Sequence, residues 1–163
     1  MSHIKWGLIS TGFEFQALCG SLFGLEYPSI EQFSALGPDK GVDAFLPTDS
    51  AIFQYKLHKE PTAAKVKQDA LHELSKIPTR KAKGDRYWST AKKWILITNI
   101  EANPQLREMW AADIIPAFGK IGLVAELTTK EQLESLLLKH PSVTQAYFEK
   151  LNRTFITLNE AVE

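Results

Sequence analysis

Cysteine is nearly absent from this chain. Cys19 stands alone, which excludes an intrachain disulfide framework and a cysteine-rich zinc site. A reducing, cytoplasmic setting is the expectation that follows. No apolar run approaches the roughly 18 residues that a membrane helix needs, and the opening residues lack the apolar core of a secretory signal, so no membrane association is expected. The four histidines, His3, His58, His72 and His140, are scattered without metal-ligand spacing. Neither G-x4-G-K-[ST] nor G-x-G-x-x-G occurs, so no nucleotide cofactor is expected, and Ser or Cys nucleophile motifs are also missing. There is no internal repeat and no low-complexity linker. What is present is ordinary for a folded domain. Hydrophobic residues at 44% and charged residues at 23% exclude disorder, and 163 residues suffice for one domain with a real core.

Net charge is zero, yet it is unevenly spread. Residues 54 to 93 hold eleven Lys or Arg against four Asp or Glu, and the rest holds eight against fifteen. A basic middle third offers one face to a polyanion; scattered, solvated lysines would give the same count.

Apolar spacing predicts a helix over Gly12 to Phe23, with Phe15, Leu18, Cys19 and Leu22 on one stripe and Thr11 as N-cap. Ser29 to Leu36 reads as a first strand, and Gly37 to Gly41 as a turn. Val42 to Leu46 and Ala51 to Leu57 read as two strands joined by Pro47-Thr48-Asp49-Ser50. A helix is predicted over Thr62 to Ile77, stopped by Pro78, and residues 79 to 93 read as an exposed basic loop. Trp94 to Thr98 has the continuous apolar character of a strand covered on both faces. Pro104 opens a helix to about Phe118 that Pro116 must end or bend. Leu123 to Leu127 is a last strand. Thr128 and Glu131 form a capping box for a helix over Lys130 to Leu138, and another helix runs from Ser142 to about Leu151. Strands alternating with helices toward the C-terminal half point to an α/β layer.

One constellation carries chemistry. Asp43 lies in an apolar strand, where aspartate is disfavoured and a half-buried charge is costly unless paired or metal-bound. Gln54 and Lys56, two apart on the next strand, share a face, and Asp43 can lie beside them across the hairpin. Two explanations fit: a structural Asp–Lys pair stabilising by about 0.2–1 kcal/mol, or a catalytic centre. Glu14 likewise has two readings, since an acid in a first helical turn suits the helix dipole whatever its function. His58 and Lys59 follow closely and could touch phosphate, although exposed strand-end residues would look the same. Trp6, Trp88, Trp94 and Trp110 read as core or interface residues, with Tyr87-Trp88, inside the basic loop, the one candidate for stacking on bases.

The order of these pieces resembles a known family. Phe13-Glu14 opens the first helix, Gly37 to Asp43 reads G-P-D-K-G-V-D, Gln54-Tyr55-Lys56 follows, then the helix at 62 to 77 and Trp94 to Asn99. This resembles the Mrr-like branch of the PD-(D/E)XK, or restriction-endonuclease-like, superfamily over residues 12 to about 127. The resemblance implies a restriction-endonuclease-like α/β core over 1–127, with a mixed central sheet flanked by helices in αβββαβ order, and extra C-terminal helices over 128–163. It implies an endonuclease that cleaves DNA with Mg²⁺, or Mn²⁺ in its place. Asp43 matches the central metal-ligating aspartate, Gln54 the second ligand position, Lys56 the catalytic lysine and Glu14 the helix glutamate that completes the metal site. Arg80, Lys81, Lys83 and Arg86, with His58 and Lys59, are the expected DNA contacts. Val42 stands where the superfamily has Pro, and neutral Gln54 leaves Asp43 and Glu14 as the only evident anionic ligands. Such domains serve restriction or antiviral defence as modules of longer proteins, and a homodimer or higher assembly is expected for duplex cleavage. A catalytically silent DNA-binding or assembly module, or an RNA-cleaving nuclease, are the rival readings.

Overall fold

A computed structural model of the chain describes residues 4–33 and 41–149. Helix α1 spans Gly12–Glu26, and Thr11 caps it as expected, its hydroxyl accepting from Glu14 N at 3.1 Å. Strands β1 (Glu31–Gln32), β2 (Ala44–Leu46) and β3 (Ala51–Lys56) follow, then α2 (Ala63–Ala82) and α3 (Arg86–Thr90). The chain continues with β4 (Lys93–Thr98), α4 (Pro104–Met109), α5 (Ile115–Gly119), β5 (Val124–Thr128), α6 (Lys130–Lys139) and α7 (Pro141–Thr144). Among the described residues no helix is long and apolar enough to cross a membrane.

The sheet order is β1-β2-β3-β4-β5. The first two pairings are antiparallel, with β2 and β3 forming the expected hairpin, and the last two are parallel. The fold is thus α/β, a five-stranded mixed sheet flanked by helices. Period-two alternation divides the core between the faces. Ala51, Phe53, Tyr55 and Ile97 join Phe15, Leu18, Cys19 and Leu22 of α1 on one face, together with Leu133, Leu137, Val143 and Phe148 from the C-terminal helices. Ile52, Trp94 and Leu96 join Val66, Ala70 and Ile77 of α2, with Trp88, Trp110 and Phe118, on the other. Strand β4 is covered on both sides, as its apolar run requires.

Four expectations need correction. The first strand shrinks to Glu31–Gln32; residues 34–40, including most of the expected turn, lie outside the described residues. Pro78 does not stop α2. It lies on the exposed side, and the turn beyond it is anchored: Ile77 is buried, Arg80 pairs with Glu73 and its guanidinium sits 5.3 Å from the Trp88 ring centre. These contacts outweigh the roughly 3 kcal/mol an interior proline costs. Residues 79–93 are therefore not a loop, since α2 runs into them, α3 follows, and Trp88 is fully buried and cannot stack on a base. The capping box falls one residue later, on Thr129 and Gln132, because Thr128 is paired with Ile97 in the sheet. Pro116 is accommodated by a π turn over Trp110–Ile114, in which Ile115 N bonds Trp110 O. The last predicted helix is present as α7 and a π turn over Gln145–Glu149, and its remainder lies outside the described residues.

Candidate active site

Asp43 sits where the β2–β3 ladder ends. Its backbone is held on both sides, Phe33 N donating to its carbonyl and its own N–H donating to Phe53 O, each at 3.0 Å. Its carboxylate then takes the place of a backbone acceptor, receiving Tyr55 N–H on Oδ2 at 2.8 Å. The residue is half-buried, and its charge is felt inside the core. Burial and then Asp43 push the Cys19 thiol well above its usual value. Burial, with Cys19 and Asp43, also raises the Tyr55 phenol. The sheet thus places a carboxylate beside the Gln54-Tyr55-Lys56 segment, as the hairpin reading anticipates.

Gln54 faces α2. Its Oε1 accepts the Trp94 indole N–H at 2.6 Å. Around it close Gly41, Glu73 and Arg80. Gly41 has φ +72°, and a Cβ there would come within 2.7 Å of Gln54 Nε2 and 2.6 Å of Arg80 Nη1, and would also strike Glu73 Oε1. Glu73 and Arg80 are ion-paired and mostly buried. Lys56, two residues on, is exposed at the strand's end, paired in register with Thr98.

Glu14 is bonded locally. Its Oε1 accepts from Thr11 Oγ1 at 2.9 Å and Ser10 Oγ at 3.2 Å, and the Thr11 bond holds its carboxyl below the usual range. The helix-terminus role is thus fulfilled here. Among the described residues, no three His, Cys, Asp or Glu side chains gather into a group that could hold a metal.

The expected DNA contacts divide. His58 is not an exposed strand-end residue: it is buried, with Nδ1 2.7 Å from Thr98 Oγ1 and Nε2 2.5 Å from Asp69 Oδ2. Asn99 clamps its backbone, accepting from His58 N at 2.8 Å and donating to His58 O at 2.9 Å. Lys59 is exposed just beyond. Arg80 is turned inward onto Glu73, and Lys81 donates to Ile121 O at 3.2 Å. Lys83 and Arg86 remain exposed, with Arg86 beside the Tyr87 ring. Lys93 pairs with Ala51, at the other end of β3 from Lys56, so the end of the basic segment lies about 16 Å along the strand from that lysine.

Sequence reasoning gave no role to Asp69 and Glu73, and met Thr98 and Asn99 only as the end of the apolar strand in the resemblance. A signal exists for two of them: Asp69 and Glu73 are four apart on one helix, one turn of α2, and so share a side. The chain matches no family model, and no curated protein shows significant similarity to it.

Proposed function

We propose that this chain is a metal-dependent nuclease domain of the PD-(D/E)XK type that hydrolyses DNA phosphodiester bonds. The observation that carries the reading is Asp43, whose carboxylate lies against Tyr55 N at 2.8 Å, between the two residues of the Q-x-K pair. The order of elements supports it, an antiparallel β2–β3 hairpin followed by α2 and a parallel β4. In this reading the domain is the effector of a restriction or defence protein and acts as a dimer or larger assembly.

The donors fit a hard cation. Asp43 and Gln54 would hold Mg²⁺, an ion satisfied by one or two carboxylates, because it keeps several waters and takes substrate oxygens. The Gln54 carbonyl has a second lone pair beyond the one that Trp94 engages. When bound, the ion supplies Lewis acidity and an activated water. Lys56, exposed at the mouth of the site, brings an ammonium to the phosphate and stabilises the charge that develops on it. Asp43, tied to Tyr55 N, keeps its carboxylate oriented toward the segment that carries that lysine.

One observation favours a second reading, a catalytically silent module. Glu14 is occupied with Ser10 and Thr11, so the acidic complement of the centre rests on Asp43. Plasmid nicking in Mg²⁺, Mn²⁺ and EDTA separates the two. Metal-dependent nicking lost in Lys56→Ala supports the nuclease, and DNA binding with no nicking in either metal sinks it.

A further inference from the structure

A cavity of about 400 Å³ opens at the carboxyl ends of the three parallel strands. The chain after each strand supplies part of its wall: Lys59 and Pro61 after β3, Asn99 and Asn103 after β4, and Lys130 at the start of α6 after β5, with Trp6 lining it from the N-terminal segment. Crevices outside the carboxyl ends of parallel strands are where open α/β sheets take ligands, and this volume lies within the roughly 300–1,000 Å³ of small-ligand pockets.

Its chemistry is two-sided. Lysines reach it from two places, the loop after β3 and the first turn of α6. Lys59 is exposed, and Lys130 is held only loosely by the largely exposed Glu101, at 3.4 Å. Glu101 also lines the rim and must yield to an anion, which its exposure permits. Asn103 uses Oδ1 to cap α4, accepting from Leu106 N at 2.8 Å, and its amide nitrogen remains a donor. The apolar part of the lining is Trp6, Pro61 and Ile100. The Trp6 ring is fixed there, its N–H donating to Glu134 at 2.8 Å and its plane steeply inclined to the Phe148 ring, 5.8 Å away between centres. An anion site beside a fixed indole is what one nucleotide of a nucleic-acid strand requires, phosphate on the lysines and base on the aromatic.

The cavity is also rigidly joined to the candidate centre. Asn99, in its wall, grips the backbone of His58, and Lys59 lies three residues beyond Lys56, at most about 11 Å of extended chain. We infer that this cavity binds a nucleotide of the DNA strand next to the one being cleaved, with Lys59 and Lys130 on its phosphate and Trp6 against its base. The inference rests on the nuclease reading for the identity of the strand.

Binding and cleavage are therefore tested apart. Affinity for a labelled single-stranded oligodeoxynucleotide is measured by fluorescence anisotropy in EDTA over a salt series. Lys59→Ala with Lys130→Ala should weaken binding at least about tenfold and reduce the log–log salt slope by about 0.7 per lost phosphate contact. Trp6→Leu should weaken it about tenfold with the slope unchanged. Lys120→Ala, in the turn before β5 at the far end of the sheet, should do neither. Lys59→Ala alone, at an exposed residue, should lose part of the affinity and guards against a folding defect at Lys130. A parent that does not bind the oligonucleotide, or a folded double variant with the parent's affinity and slope, overturns the cavity assignment whatever the nicking assay gives. A parent that binds through these lysines yet nicks nothing in Mg²⁺ or Mn²⁺ supports the cavity and removes only the nuclease reading.

Discussion

His58 Nε2 lies 2.5 Å from Asp69 Oδ2, joining the chain just past β3 to the first half of α2. With Thr98 on the other ring nitrogen, the imidazole bridges two strand ends and a helix. His58→Ala should therefore destabilise by about 2–4 kcal/mol, through the vacated volume and the lost hydrogen bonds to Thr98 and Asp69. Asp69→Asn, which keeps an oxygen at half-exposed Asp69, should cost about 1 kcal/mol. Urea unfolding midpoints check both, and equal losses would contradict the difference in burial.

Gly41→Ala should destabilise chiefly through its backbone, since φ +72° is strained for any residue with a Cβ. The methyl would also displace the ends of the Glu73, Arg80 and Gln54 side chains. A loss of about 1–2 kcal/mol is expected in denaturant unfolding. Arg80→Ala should cost about 3–5 kcal/mol, since it leaves the Glu73 carboxylate buried without its partner.

Asp43→Asn and Lys56→Ala should each abolish metal-dependent nicking. Asparagine is the better probe of Asp43 because it still accepts from Tyr55 N, whereas Asp43→Ala strands that N–H at a cost of about 1–3 kcal/mol. Circular dichroism establishes that each variant is folded, and unchanged nicking by either one removes that residue from the centre.

Gln54→Leu should weaken Mn²⁺ binding and also lower stability by about 1–3 kcal/mol, because the Trp94 indole N–H loses its acceptor. Gln54→Glu keeps the acceptor and should retain Mn²⁺ binding. Calorimetric titration showing equal affinity for parent and Leu variant would exclude ligation by Gln54.

Acid sensitivity should trace in part to Glu26, which ties the end of α1 to Lys139 at 2.8 Å and His140 at 2.7 Å. Lys139, then His140, hold its carboxyl below the ordinary 4.5. A depressed folded-state pKa contributes stability that is complete above the unfolded value and is lost as pH falls through the folded one. Glu26→Gln should therefore flatten the fall in unfolding midpoint below about pH 4.5 and leave its dependence above about pH 6 to other groups. An identical acid limb in parent and variant would assign the sensitivity elsewhere.

Local pattern was enough for much of this protein. The α1 stripe of Phe15, Leu18, Cys19 and Leu22, the β2–β3 hairpin and the doubly covered β4 follow from apolar spacing and turn chemistry, because those signals act within a few residues. The same hairpin set the Asp43 carboxylate against the backbone of Tyr55, between Gln54 and Lys56. The tertiary structure decided the rest. Whether Pro78 ends α2 depends on Arg80 meeting Glu73 and Trp88, contacts that no local window contains. Whether His58 is exposed depends on Thr98 and Asp69, 40 and 11 residues away. Basic residues that look alike in sequence separated once α2 extended past Pro78: Arg80 turned inward, Lys83 stayed in solvent, and Lys59 came to line a cavity with Lys130. Burial of a charge is settled by partners distant along the chain, and composition carries no record of which partner it finds.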